Sequence, residues 1–356
     1  MSDVRCAVGP GRVNLIGDHT DYNRGLALPM AIGLGVTVTF VPADDTTLVV
    51  TSSAFGERAV VPLGADPATL EPPWARLVAA VATVAGMATG GTVSVGSTLP
   101  VGSGLSSSAA LAVALASVFG VGGTPGRVAR LCREAEHLIG VPVGLMDPLV
   151  CAGGRAGHAM LMDFGGDFDD DGDGGGPDGD GDGVTTRHIP LPEEAEFVVV
   201  DSGQRRTLST SAYAERVAQC RAAADQVGPL GRCGPDDLAD IHDPVLHQRA
   251  RHVVTECARV RDTALALAAD DLDEVGALLT ASHRSLAVDF AVSTPEVDEL
   301  VEALGSRPGV LGARMTGAGF GGCVVALTRP GAVDTDTWPT PAWRVHAADG
   351  SLTSPG

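Results

Sequence analysis

Asp18, His19, Thr20, Asp21, Tyr22 and Asn23 stand together directly after an apolar run at 13–16, and Arg12 stands at the start of that run. Two carboxylates, an imidazole and an amide on one short loop can hydrogen-bond several hydroxyls of a small polyol at once. Such contacts discriminate strongly, because a wrong ligand leaves buried polar groups unpaired. A plain polar turn after a strand is the bland alternative, and the density of specific groups weighs against it.

A second set lies at 99–110, where Gly102, Ser103, Gly104 and Leu105 lead through Ser106, Ser107 and Ser108 into an apolar helical run. Glycines there allow backbone dihedrals and close approach that a Cβ would block. A helix N-terminus presents unpaired N–H groups and a positive dipole end to an anion, and a hydroxyl there can ligate Mg²⁺. An ordinary serine-capped helix would look the same. Glu136 and Asp147 are the next candidates. Glu136 could be a solvated helix carboxylate, and Asp147 could cap a helix starting at Pro148. Four glycines between Gly317 and Gly322 permit either a close approach to a ligand or a tight hairpin.

Composition narrows the chemistry. All 24 basic residues are Arg, and the chain has no Lys. A Walker A loop, a protein-kinase lysine and a Schiff-base lysine are therefore excluded. The net charge of −20 argues against a basic face for nucleic acid. Positive potential for a phosphate must come from a few Arg residues, backbone amides and Mg²⁺. No apolar run is long enough to span a membrane and no basic, apolar leader opens the chain, so a cytoplasmic protein is expected. Seven scattered cysteines, never spaced Cys-x-x-Cys, read as reduced thiols.

The elements that must position these groups can be placed by periodicity. Strands are expected near 6–8, 13–16, 33–41, 47–51 and 92–95, with helices at 74–84, 105–119 and 127–139. Strands return at 158–163 and 197–201. Helices follow at 212–226, 244–268, 272–285 and 295–305, then strands at 312–315, 322–327 and 343–345. No Gly-x-Gly-x-x-Gly opens a strand–helix unit with an acidic residue at the right distance, so a Rossmann fold is unsupported. The class is α+β in two domains. An Asp/Gly run at 165–183 carries eight aspartates. It mimics an EF-hand loop at Asp169, Asp171, Asp173 and Asp180, but no helix flanks it, and it reads as a surface linker.

Three segments together resemble a known family. The 11–25 stretch is similar to the galactokinase signature, with Asp18 where that family usually has Glu. Residues 100–110 resemble the second GHMP kinase motif, and 314–323 the third. The stretch holding Glu136, His137, Gly144 and Asp147 is similar to a further galactokinase segment, with Pro148 in place of Gln and one residue fewer between Glu136 and Asp147. Segments at 282–286 and 292–296 also match, and Tyr213 matches the family's sugar-contacting tyrosine. Trp74 resembles an aromatic near the family's adenine pocket, although a lone Trp is more often core.

The resemblance implies a two-domain GHMP kinase fold: a ribosomal-S5-like α/β domain at 1–164, an acidic linker at 165–183, and a ferredoxin-like domain at 184–356, with the active site between them. It implies Asp147 as catalytic carboxylate with Arg12, and Asp18, His19, Thr20, Asp21, Gly144 and Tyr213 around the sugar. It implies Gly102, Ser103, Gly104, Leu105, Ser106, Ser107, Ser108, Gly317 and Gly319 around ATP, and Ser108 with Glu136 as Mg²⁺ ligands. Phosphoryl transfer through a loose transition state needs little early deprotonation of the nucleophile. Asp147 is thus expected to orient the hydroxyl and take its proton late, while Arg12 screens charge. Phosphorylation of the galactose C1 hydroxyl by a monomer is expected. The alternatives are a related sugar (galacturonate, arabinose or N-acetylgalactosamine), a silent galactose/ATP sensor, and a calcium-responsive protein. Retention of Arg12, Ser108, Ala109 and Asp147 favours an enzyme over a sensor.

Overall fold

The computed structural model describes residues 4–53, 56, 58–100, 102–141, 143–165, 183–204 and 209–355. In chain order the first half contains β1 (Arg5–Ile16), β2 (Leu26–Pro42), β3 (Thr47–Ser52), β4 (Arg58–Pro62), α1 (Arg76–Val84), β5 (Gly91–Ser97), α2 (Ser107–Val118), α3 (Pro125–Leu138), α4 (Met146–Gly153) and β6 (His158–Asp163). The second half contains β7 (Thr185–Pro190), β8 (Glu196–Asp201), α5 (Ser209–Val227), α6 (Pro244–Ala268), α7 (Leu272–Val288), α8 (Pro295–Gly305), β9 (Val310–Thr316), β10 (Cys323–Thr328), β11 (Ala342–Val345) and β12 (Leu352–Pro355).

The larger sheet runs β12-β1-β2-β5-β3-β4, with β6 on β2 and β7 on β6; the smaller runs β11-β8-β10-β9. All pairings are antiparallel except β3 with β5. Among the described residues two apolar clusters follow: one under the large sheet with α1 to α4, reaching α6, α7 and one face of the small sheet, the other between the opposite face of the small sheet and helices of the second half.

The expected boundaries are more interleaved than a cut at 164 and 184. β7 and β12 lie beyond the linker in sequence, yet both complete the first sheet. The cause is edge pairing: β1 and β6 each offer a strand edge that downstream segments cover. The Asp/Gly run, with its EF-hand-like spacing, lies almost wholly outside the described residues.

Two local choices place the site. Alanines at 109, 110, 112, 114 and 116 are all buried in α2, so the helix can lie close on β1. At Gly9 a Cβ would stand 1.9 Å from the Ala110 carbonyl oxygen, which makes the contact possible only for glycine. This close packing brings the N-terminus of α2 beside the end of β1. Thr124 caps α3 by accepting from Arg127 N–H, with Pro125 in the first turn, and so aims Glu136 inward. No described helix is long and apolar enough to cross a membrane.

Candidate active site

Arg12 leaves β1 nearly buried and meets Asp147 in the first turn of α4. Arg12 Nε donates to Asp147 Oδ1 and Nη2 to Oδ2, both at 2.8 Å, and Nη1 donates to the Gly104 carbonyl at 2.6 Å. This is the bidentate fork geometry that makes guanidinium–carboxylate pairs strong. Burial pulls the Arg12 guanidinium down, but the charge and hydrogen bonds of Asp147 outweigh it and leave it raised. Asp147 does not cap α4: Leu145 holds that position without a side-chain bond. The carboxylate instead also accepts from the Ser106 hydroxyl. Ser106 holds a left-handed backbone, φ 61°, at the N-cap of α2, a costly conformation for a residue with a Cβ. The sequence placed Ser106 in the phosphate cradle; its hydroxyl is spent on the carboxylate.

Ser107 and Ser108 are exposed at the start of α2, where the helix N-terminus opens to an anion. Gly102 and Gly104 both take positive φ of 77° in the turn before them. Two members of the expected cradle serve otherwise. Ser103 is buried and donates to the Pro100 carbonyl, and Leu105 is core whose carbonyl accepts from Arg12 N–H. Any part these two residues take in a cradle would fall to their backbone N–H groups and not to their side chains.

Glu136 is buried, and the Ser108 hydroxyl bonds its carboxyl. Burial, helped by the charge of Asp147, pushes the carboxyl up to about 7. Its Oε1 has no hydrogen-bond partner among the described residues. An orphaned carboxylate oxygen beside an exposed serine hydroxyl and a helix N-terminus fits a hard cation shared with phosphate oxygens. Among the described residues no group of three or more His, Cys, Asp or Glu could hold a metal ion.

The 18–23 loop divides by role. His19 stands at φ 64°, its Nδ1 hydrogen-bonded to the Tyr22 hydroxyl at 3.0 Å. Burial, and then the charges of His252 and Arg314, push its imidazole down to about 3, so it is neutral. Its ring lies 5.7 Å from Tyr213 and 6.0 Å from Tyr22, with Tyr22 and Tyr213 5.9 Å apart. Burial, with nearby Asp147 and Asp18, raises the Asp21 carboxyl to about 6 against opposing backbone hydrogen bonds. Gly144 faces it: a Cβ there would lie 3.0 Å from Asp21 Oδ2. Burial also pushes the half-buried Tyr213 phenol up.

Thr20 and Asp18 depart from expectation. Thr20 is fully buried, and its hydroxyl faces the carbonyls of Gly17 and Leu26 at 2.8 and 2.6 Å, closing the loop rather than facing a ligand. Asp18 is buried at 3 % exposure; Oδ2 accepts from Arg314, and Oδ1 from Gly317 N–H at 3.1 Å. Both oxygens of the Asp18 carboxylate thus bond groups of the 314–317 segment. The amide of Gly317 is thereby engaged. Gly319 packs where a Cβ would stand 2.6 Å from the Val292 carbonyl oxygen, so the close packing of this loop requires glycine there. Trp74 is half-buried against the large core.

Sequence reasoning gave Arg314 and Tyr22 no part. Arg314 stood in the quoted glycine motif, but its acidic partner was 296 residues away.

A helix N-terminus open beside a buried guanidinium–carboxylate pair, on this α+β scaffold, is the arrangement expected of a small-molecule kinase of the GHMP type. Family models agree: "GHMP kinases N terminal domain" matches residues 75–155, "GHMP kinases C terminal" 263–335, and "Galactokinase galactose-binding signature" 2–42. The galactokinase of Bos taurus is 39 % identical over 338 residues, 89 % of this chain and 82 % of its own. That of Chloroflexus aurantiacus is 38 % identical over 93 % of this chain and 85 % of its own. The crystal structure of Lactococcus lactis galactokinase complexed with galactose superposes with a TM-score of 0.85 at 28 % identity, covering 98 % of this chain and 95 % of the other. Methanococcus jannaschii mevalonate kinase shares the fold, with a TM-score of 0.67 at 17 % identity, covering 98 % and 99 %. The chain belongs to the galactokinase family.

Proposed function

We propose that the protein transfers the γ-phosphoryl group of ATP to the C1 hydroxyl of galactose. The observation that carries this reading is the Arg12–Asp147 fork, fastened by Ser106 at the phosphate-facing end of α2. Asp147 accepts a hydrogen bond from the sugar hydroxyl, orients it, and takes its proton late in the transfer. Three donors already on the carboxylate suit it to orientation more than to early abstraction. Arg12 offsets negative charge building beside it. His19, Asp21, Gly144 and Tyr213 line the sugar side. The neutral imidazole of His19 and the carboxylate of Asp21 supply complementary hydrogen-bonding groups.

Ser107, Ser108 and the α2 N–H groups face the phosphates. Ser108 and Glu136 would hold Mg²⁺, which when bound neutralises phosphate charge. The test is ADP release across hexoses, pentoses, uronates and mevalonate, with phosphorus NMR of the product. An anomeric phosphate formed fastest from galactose is expected. No turnover with any sugar would overturn the reading, and a faster uronate, arabinose or N-acetylgalactosamine would reassign the substrate.

A further inference from the structure

We infer that a buried polar stripe on α6, His252 and Glu256, is a positioning device for the sugar loop, so that sugar affinity is set from a helix which touches no substrate. The inference rests on reading 18–21 as that loop. His252 and Glu256 are one helical turn apart, so both face the loop from one side of α6, and both are fully buried. Glu256 Oε1 accepts Gly17 N–H at 3.0 Å and the Ser282 hydroxyl at 2.5 Å; Oε2 accepts Arg259 Nε at 2.8 Å. The Arg314 guanidinium lies 3.8 Å from Oε1 and binds the Asp18 carboxylate and the Leu15 carbonyl, the latter at 2.8 Å. His252 Nε2 is hydrogen-bonded to the Asp18 carbonyl at 3.1 Å, and its Nδ1 to Ser285 Oγ at 2.9 Å. Phe290 is fully buried, with ring centroids 4.6 Å from His252 and 4.5 Å from His19.

Two carboxylates and two guanidiniums thus form a closed, charge-balanced cluster. Such clusters add little net stability, because desolvation offsets the Coulombic gain, and fixing one geometry is their best-attested use. Here the bonds end on the backbone of Gly17 and Asp18. His19 stands at φ 64°, a conformation that a residue with a Cβ keeps only when the surroundings over-determine it, and it directly follows the two residues so held. His19 and Asp21 project from the backbone so held. Glu256 and His252 therefore act on the sugar through the loop.

The experiment uses the full chain and the sugar that the wild type turns over fastest. Glu256→Gln keeps the shape but turns an amide toward two guanidiniums. It is expected to raise KM for the sugar about tenfold while leaving KM for ATP within about twofold. Ser285→Ala, a milder change that frees one side of His252, is expected to raise the sugar KM about threefold with little change in Tm. A merely structural role would lower Tm or the active fraction and leave both KM values in place. That outcome, or both KM values rising together, overturns the inference. If Glu256→Gln does not fold, Ser285→Ala alone decides. Failure of galactose as substrate would count against the proposed function only, because the KM ratio is still read with whichever sugar reacts.

Discussion

Arg12 and Asp147, 135 residues apart, share two hydrogen bonds of 2.8 Å in one fork. The pair joins the strand β1 to the first turn of α4, and Ser106 fastens it to the N-terminus of α2. Three elements therefore meet at one carboxylate.

Asp147→Asn keeps the shape but removes the charge that Arg12 grips. Turnover is expected to fall about 10²–10⁴-fold, the usual range for acid–base groups. Steady-state ADP release checks it; a variant within threefold of the wild type would remove Asp147 from the chemistry.

Ser106 combines a strained backbone with a hydrogen bond to Asp147. Ser106→Gly relieves the φ of 61° and deletes the hydroxyl. The variant is expected to be as stable as the wild type or more so, yet about tenfold slower, as happens where strain serves a site. Melting curves run beside kcat separate the two effects.

Asp21 titrates near 6, above its ordinary 3.8, because it is buried. The folded protein therefore holds its proton more tightly than the unfolded chain does. That contribution is complete below about pH 4 and is lost as pH rises through about 6. Asp21→Asn should raise Tm at pH 7 by on the order of 2 °C, with the difference vanishing below pH 4. If the Asp21 carboxylate binds the sugar as proposed, KM for the sugar should fall in the wild type as pH rises through about 6 and stay high in the variant.

Thr20 and Gly144 give opposite signatures. Thr20→Val leaves two buried carbonyls without their donor and should cost about 1–3 kcal/mol of stability, with KM for the sugar unchanged in the folded fraction. Gly144→Ala pushes on Asp21 Oδ2 from 3.0 Å and should raise that KM several-fold, with little effect on Tm. Denaturant unfolding and initial rates distinguish them.

Much of this was legible in the chain. The helix at Pro244–Ala268 and the strand at His158–Asp163 fall where periodicity puts them, because each packs one side of a regular element on a core. The pairings of β7 and β12 were not legible. A strand edge is filled by whichever segment reaches it, and local pattern does not encode that. Asp147 read equally well as a helix cap, since only tertiary packing brings Arg12 within reach. Asp18 and Thr20 matched the sugar-loop pattern, yet their hydrogen bonds go to protein groups. Composition separates a polar loop from a core; it does not say which of its polar atoms face inward.

The bonds that hold the sugar loop span very long stretches of chain: Gly17 to Glu256 across 239 residues and Asp18 to Arg314 across 296, while β1 pairs with β12 at the far end. At about 5–20 residues per second of synthesis, Asp18 waits ~15–60 s for Arg314 to be made. A nascent or truncated chain therefore carries the complete recognition motif without a working site. Contacts this non-local raise the contact order of the fold, which slows folding.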